Sequence, residues 1–187
     1  MLVDRDVPDL EGARWPAYAM WLDSTLAYVN PAYHRGMPPG WGLGARVLDA
    51  AGVLRAQLEA VHDEACATGH AVALRYACPT EQSEREFELR VYPLGPKGAP
   101  EGLLAIHSLV VEHAHESPQE AHEARYRDLG GMIRHCAHCR RTRRAGAAEV
   151  WDLVPAYLRA VPHGTSHGVC PPCAAHYFGG DLGDEPE

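Results

Sequence analysis

The chain has 187 residues, 46% of them apolar, enough for one ordinary domain with a small appendage or a single larger domain built on a conventional core. Its formal net charge of -8, from 17 Lys and Arg against 25 Asp and Glu, argues against nucleic-acid binding by the surface as a whole. Residues 1–6 are acidic where a secretory leader would be positive, and the longest apolar run, 102–111, is too short to cross a bilayer. A soluble cytoplasmic protein is expected, in a reducing compartment where paired cysteines more often bind metal than form disulfides.

Residues 18–23 and 26–30 read as two short strands joined at Ser24-Thr25, and Pro31 then allows a helical turn to begin. The Pro/Gly-rich stretch 37–42 is a loop by composition. Over 53–67 the apolar residues Val53, Leu54, Leu58, Val61 and Ala65 recur at helical spacing, and Gly69 supplies the stop. Three extended segments follow. Residues 71–77 place Val72, Leu74 and Tyr76 on one face; 86–92 alternate Phe87, Leu89 and Val91 with charged residues; 103–111 are nearly all apolar. The breaker-rich stretch 93–100 connects the last two.

Ser117-Pro118 followed by Glu120 predicts the start of a further helix, with Ala121, Ala124, Leu129, Met132 and Ile133 as its packing stripe and Gly130-Gly131 weakening its end. This linker, residues 113–134, is expected to carry any influence between the parts on either side of it. Residues 179–187 form a small acidic tail that reads as disordered.

Four cysteines stand in two tight pairs, Cys136-Ala137-His138-Cys139 and Cys170-Pro171-Pro172-Cys173, with 30 residues between them. Each pair can close a knuckle around one ion, and two knuckles supply the four thiolates of a closed tetrahedral zinc site. Cys136, Cys139, Cys170 and Cys173 are therefore the expected ligands of a structural zinc site, with iron as the alternative metal and His138 or His167 as alternative ligands. Redox dithiols are the competing reading of the same spacing. Arg140, Arg141, Arg143 and Arg144 crowd the first pair in a stretch, 132–148, without an acidic residue. They either offset the negative charge of a four-thiolate centre or form a basic patch for nucleic acid; no aromatic residue is interleaved with them, which favours the former.

The strand and helix order, with Leu26-Ala27-Tyr28-Val29-Asn30-Pro31-Ala32-Tyr33 in second place, resembles the PAS domain family over residues 15–112. Gly69-His70-Ala71-Val72 and 87–94 are similar to that family's later strands. The resemblance implies an α+β fold, a five-stranded antiparallel sheet with flanking helices, followed by the linker helix and the four-cysteine zinc module at 135–178. The run Cys136-Ala137-His138-Cys139-Arg140-Arg141, then Trp151, Tyr157-Leu158 and residues 166–173 is similar to a cysteine-rich tail found after PAS regions in many bacterial signalling proteins, where the tryptophan lies on a helix. Some sensors of the family bind haem through a histidine on the corresponding helix, which makes His62 the candidate haem ligand here; the alternative is a solvent-facing histidine. Cys66 lacks the Asn-Cys-Arg-Phe context of the family's light-sensing members and is set aside as a flavin-reactive thiol.

His122-Glu123 lacks the surroundings of a phosphoacceptor histidine, and there is no nucleophile elbow, P-loop or dinucleotide fingerprint, so no enzymatic activity is expected. The expected function is that of a bacterial cytoplasmic sensor or adaptor, a PAS-like domain for ligand sensing or protein interaction joined to a structural zinc site. A homodimer and a signalling protein partner follow from that reading. A thiol and zinc redox switch, and a nucleic-acid regulator using the arginines, are its alternatives.

Overall fold

A computed structural model describes residues 10–36, 40–51 and 55–178. Elements follow in chain order: β1 (Ala17–Trp21), β2 (Leu26–Val29), α1 (Pro31–Gly36), a 3-10 turn (Val47–Ala50), α2 (Arg55–Thr68), β3 (Val72–Ala77), β4 (Ser83–Leu94) and β5 (Gly102–Ala114). Then come α3 (Glu123–Tyr126), β6 (Ile133–Cys136), β7 (Thr142–Arg144), β8 (Ala147–Asp152), α4 (Pro155–Arg159), β9 (Thr165–Gly168) and α5 (Pro171–Phe178). The first five strands form one antiparallel sheet in the order β2-β1-β5-β4-β3, and the last four a second sheet in the order β8-β7-β6-β9.

The chain divides into two compact units that do not follow a single cut after residue 112. One comprises residues 1–75 and 87–110; the other comprises 76–86 together with 111–187. The tip of the β3–β4 hairpin thus belongs to the unit that carries the cysteine pairs.

The strands expected at 18–23, 26–30, 71–77, 86–92 and 103–111 are present with small shifts of their ends, and α2 covers the described part of the helix expected at 53–67; Val53, Leu54, residues 37–39 and the tail 179–187 lie outside the described residues. The register of β1 on β5 pairs Ala17 with Ile106 and Trp21 with Gly102, which places Tyr18, Met20, Leu103 and Ala105 in the buried core. Gly102 lies so close to the Met20 carbonyl that a Cβ there would stand 2.6 Å from its oxygen, so glycine is required where the two strands cross. Asn30 explains why a short strand stops where it does. Its carboxamide oxygen accepts from the N–H groups of Ala17 (3.0 Å) and Tyr33 (2.9 Å), and its amide donates to the carbonyls of Leu10 and Trp15, both at 3.0 Å. All four bonding positions of a fully buried side chain are filled, and the Tyr33 bond also steadies the opening turn of α1.

His62 departs from the solvent-facing alternative. It lies on α2 with only 7% of its surface exposed, and its Nε2 has no hydrogen-bond partner among the described residues. Burial pushes its pKa down, against the opposing charges of Asp63 and Glu59.

The second unit corrects the linker. No helix begins at Ser117: residues 115–122 are irregular, and α3 is one turn long. The apolar residues chosen as a stripe do not share a face, since Leu129 is fully exposed while Ile133 is fully buried. Gly130-Gly131 is the tip of a tight turn. The Asp128 carboxylate accepts from the N–H of Gly130 (3.0 Å) and Met132 (2.9 Å), and Asp128 and Met132 also pair through their backbones at 2.9 Å. Gly131 has φ +76°, a left-handed conformation that glycine adopts freely. An Asx-type turn of this kind outcompetes one more helical turn because it satisfies the same amides locally. The tryptophan expected on a helix, Trp151, stands on β8.

The hairpin tip of the second unit is tied to its other segments by polar contacts. His115 Nε2 meets the Thr80 carbonyl oxygen at 2.8 Å, the Ser83 hydroxyl donates to Glu112 at 2.9 Å, and Arg159 pairs with Glu81 at 3.4 Å. A small core of Tyr126, Ile133, Val154 and Tyr157 lies within the unit, its two tyrosine rings packed edge to face.

Candidate metal centre

The first knuckle grows from the end of β6. Cys136 donates its N–H to the Arg141 carbonyl (2.8 Å), and Arg140 donates its own back to the Cys136 carbonyl (3.1 Å), so the chain reverses within one turn. Arg140 takes φ +62° to do so. The second knuckle is brought alongside because β9 runs parallel to β6, with Cys136 opposite Gly168. Ala137 N–H donates to the Gly168 carbonyl at 2.7 Å and locks the two together. Pro171 and Pro172 then open α5, where the lack of an N–H costs nothing and the fixed φ suits the first turn. Cys170 thereby sits just before the helix and Cys173 in its first turn.

The four sulfurs lie within 4.8 Å of one another, and Cys139 Sγ is 3.5 Å from Cys170 Sγ. A tetrahedral ion with metal–sulfur bonds of about 2.3 Å requires sulfurs about 3.8 Å apart. The quartet fits such an ion, and among the described residues it is the one group of three or more metal-binding side chains. Cys136, Cys170 and Cys173 are buried and Cys139 is partly buried. Trp151, Val169 and Tyr177 pack against the sulfurs and cover them with apolar surface.

Electrostatics point to the same chemistry. Hydrogen bonds from Cys139, Cys170 and Cys173 hold the Cys136 thiol far below its ordinary value, and the N–H of Cys170 adds to them at 3.4 Å. Cys139 is pushed far above by its place beside Cys136, and Cys173 is raised for the same reason. Cys170 is opposed by Cys136 but brought down to about 7 by Cys139 and Cys173. Four crowded thiols can share protons but cannot all become anions on their own. A cation removes that conflict by taking the place of the protons.

The histidines named as alternative ligands lie elsewhere. His138 Nε2 accepts from the Ala77 N–H at 3.1 Å and meets the Tyr177 hydroxyl at 2.7 Å. Burial, followed by the negative sulfurs, pushes the Tyr177 phenol up, so it stays a donor. His167 is exposed on β9, its ring 6.2 Å from that of His135. Two of the four arginines are engaged with carboxylates: Arg141 with Glu84 at 2.8 Å, and Arg144 with both oxygens of Asp152 at 3.0 Å. The spacing names His138 only as an alternative ligand and gives no sign of Tyr177; their hydrogen bond beside the quartet joins segments 39 residues apart.

The profile of the PAS fold matches residues 10–115. The chain belongs to the PAS fold family. Solved PAS structures similar to it include the PAS domain of BvgS from Bordetella pertussis, 15% identical, over 55% of this chain and 81% of that one at a TM-score of 0.45. A sensory box sensor histidine kinase from Vibrio cholerae is 15% identical over 54% of this chain and 82% of that one, with a TM-score of 0.42. A LOV protein from Rhodobacter sphaeroides is 19% identical over 54% of this chain and 62% of that one, with a TM-score of 0.40. No curated protein matches the chain. The cysteine pairs lie beyond the PAS match, although β5 continues to Ala114 and the PAS hairpin tip at 76–86 shares their compact unit. Among the described residues no helix is long and apolar enough to cross a membrane.

Proposed function

We propose that this chain is a bacterial cytoplasmic sensor or adaptor, in which the PAS domain takes up a small ligand or a protein and a zinc ion on Cys136, Cys139, Cys170 and Cys173 holds the C-terminal part folded. The observation that carries the metal half is the convergence of the four sulfurs within 4.8 Å. Zinc is favoured over iron because a closed, apolar-capped four-thiolate site needs no redox partner and leaves no open position for water or substrate. The site is therefore structural, and no catalytic role is assigned to it. The PAS half rests on family membership, with the ligand class left to experiment. Output is a contact with a signalling protein partner, and self-association is assigned to the PAS domain.

Nucleic-acid binding is the weaker reading. Arg141 and Arg144 are engaged by Glu84 and Asp152, and the net charge is -8. Filter binding at rising salt checks it: a steep salt dependence would reinstate the arginine patch.

The deciding experiment is elemental analysis and an absorption spectrum of the purified full chain. One equivalent of zinc with a colourless spectrum supports the reading; thiolate-to-iron absorption replaces zinc by iron, and a metal-free folded protein overturns the site. Visible absorption from haem would place a ligand in the PAS domain and bring His62 forward.

A further inference from the structure

Within the second unit a cavity of about 150 Å³ opens beside the sulfur quartet. Ala77, Glu84, Val111, His113 and Arg141 line it, and so does one member of the quartet, Cys139. The three other cysteines are buried, with 0%, 1% and 9% of their surface exposed for Cys136, Cys170 and Cys173. Of the quartet, a small solute in this cavity therefore meets Cys139 alone. Across the two knuckles, Cys139 Sγ stands 3.5 Å from Cys170 Sγ.

We infer that Cys139 is the oxidant-reactive residue of the quartet and that hydrogen peroxide converts it, with Cys170, into a disulfide bridging the two knuckles and releasing the metal. The inference rests on the zinc reading and names the regulation of that site. The Cys139 thiolate attacks one peroxide oxygen, the O–O bond breaks, and hydroxide leaves, giving a sulfenic acid. The Cys170 thiolate then attacks that sulfur and expels a second hydroxide. Two thiolates have lost two electrons in total, the peroxide has gained them, and solvent protonates the two hydroxides to water. The sulfurs must close from 3.5 Å to about 2.0 Å, a small movement for a knuckle and the start of a helix. With two of four ligands consumed, the ion leaves and the structure that depends on it loosens.

The test treats the zinc-loaded full chain with limiting hydrogen peroxide, blocks remaining thiols by alkylation, and follows zinc with a chromogenic chelator. Trypsin cuts after Arg134, Arg140 and Arg159, so each cysteine pair ends in its own peptide. The expected product joins the two peptides, with fragment ions placing the link at Cys139 and Cys170 and the alkyl groups on Cys136 and Cys173. A first disulfide within either pair, or a first oxidation at another cysteine, overturns the inference and leaves the zinc reading intact. A chain that never held zinc fails at the loading step and overturns both. A variant away from the ligands tests the route: Val111→Trp fills the cavity from a residue 43% exposed on β5. Oxidation should slow at least threefold at unchanged zinc content; an unchanged rate overturns the route through the cavity.

Discussion

The N–H of Ala77, the last residue of β3, donates to Nε2 of His138 across 3.1 Å, so a residue of the PAS sheet is held by the side chain inside the first cysteine knuckle. The Tyr177 hydroxyl faces the same nitrogen at 2.7 Å, so the single lone pair of Nε2 is shared between the two groups. His138→Ala leaves both donors without that partner and should destabilise the metal-loaded protein by roughly 1–3 kcal/mol in denaturant unfolding, with zinc content kept. His138→Gln, which retains an acceptor, should recover part of the loss.

Cys136→Ser removes the sulfur on which the hydrogen bonds of the other three converge. Tight zinc binding is expected to disappear, and residues 133–178 to become protease-sensitive, because a small metal-bound fold owes most of its stability to the ion. Full metal content and unchanged resistance to protease would show that Cys136 is not a ligand.

Asn30→Ala empties a site where one carboxamide satisfies four backbone groups. The expected cost is about 3–5 kcal/mol, a large share of the stability of an ordinary domain, read as a fall in thermal midpoint. Asn30→Asp should also destabilise, since an anion would face the carbonyls of Leu10 and Trp15.

Gly131→Ala separates a turn from a helix. In a helix the change would stabilise by up to about 1 kcal/mol; at φ +76° it should cost about 1–2 kcal/mol although no atom stands in the way. Gly130→Ala, without a positive φ, should cost less. Chemical denaturation of both variants gives the sign directly.

Burial beside Tyr18 pushes His107 down to about 4 from an ordinary 6.5. Between those values the unfolded chain holds a proton that the native state refuses, so stability falls as pH drops from 6.5 towards 4. The loss attributable to this residue is on the order of 2 kcal/mol. His107→Asn should flatten the urea midpoint between pH 7 and pH 5 relative to the parent chain.

What could be read from the chain, and what could not, divides along physical lines. Alternation in Phe87, Leu89 and Val91 and helical spacing in Leu58, Val61 and Ala65 report burial on one face, so the sheet and α2 were legible. So was the quartet, because two C-x-x-C pairs carry their own geometry. The stripe through Ala121, Ala124, Leu129, Met132 and Ile133 does not report a helix, because apolar spacing alone does not reveal that Asp128 can satisfy the amides of Gly130 and Met132 locally. An aspartate two residues before a glycine pair was the signal for a turn. The burial of His62 and the work of His138 were not legible at all: each depends on contacts between segments far apart in the chain.

Residues 76–86 belong to the compact unit of the cysteine pairs while the strands on either side of them belong to the other. The boundary of the evolutionary family and the boundary of the folded body are therefore different lines on this chain. A chimera that exchanges the PAS domain as one cassette would also carry away Ala77 and Glu84, the partners of His138 and Arg141. A foreign hairpin would meet the knuckle without the N–H donor that His138 accepts from and the carboxylate that Arg141 pairs with. A domain swap that preserves the cysteine part must instead retain the native segment from Tyr76 to Glu86 and splice inside two strands.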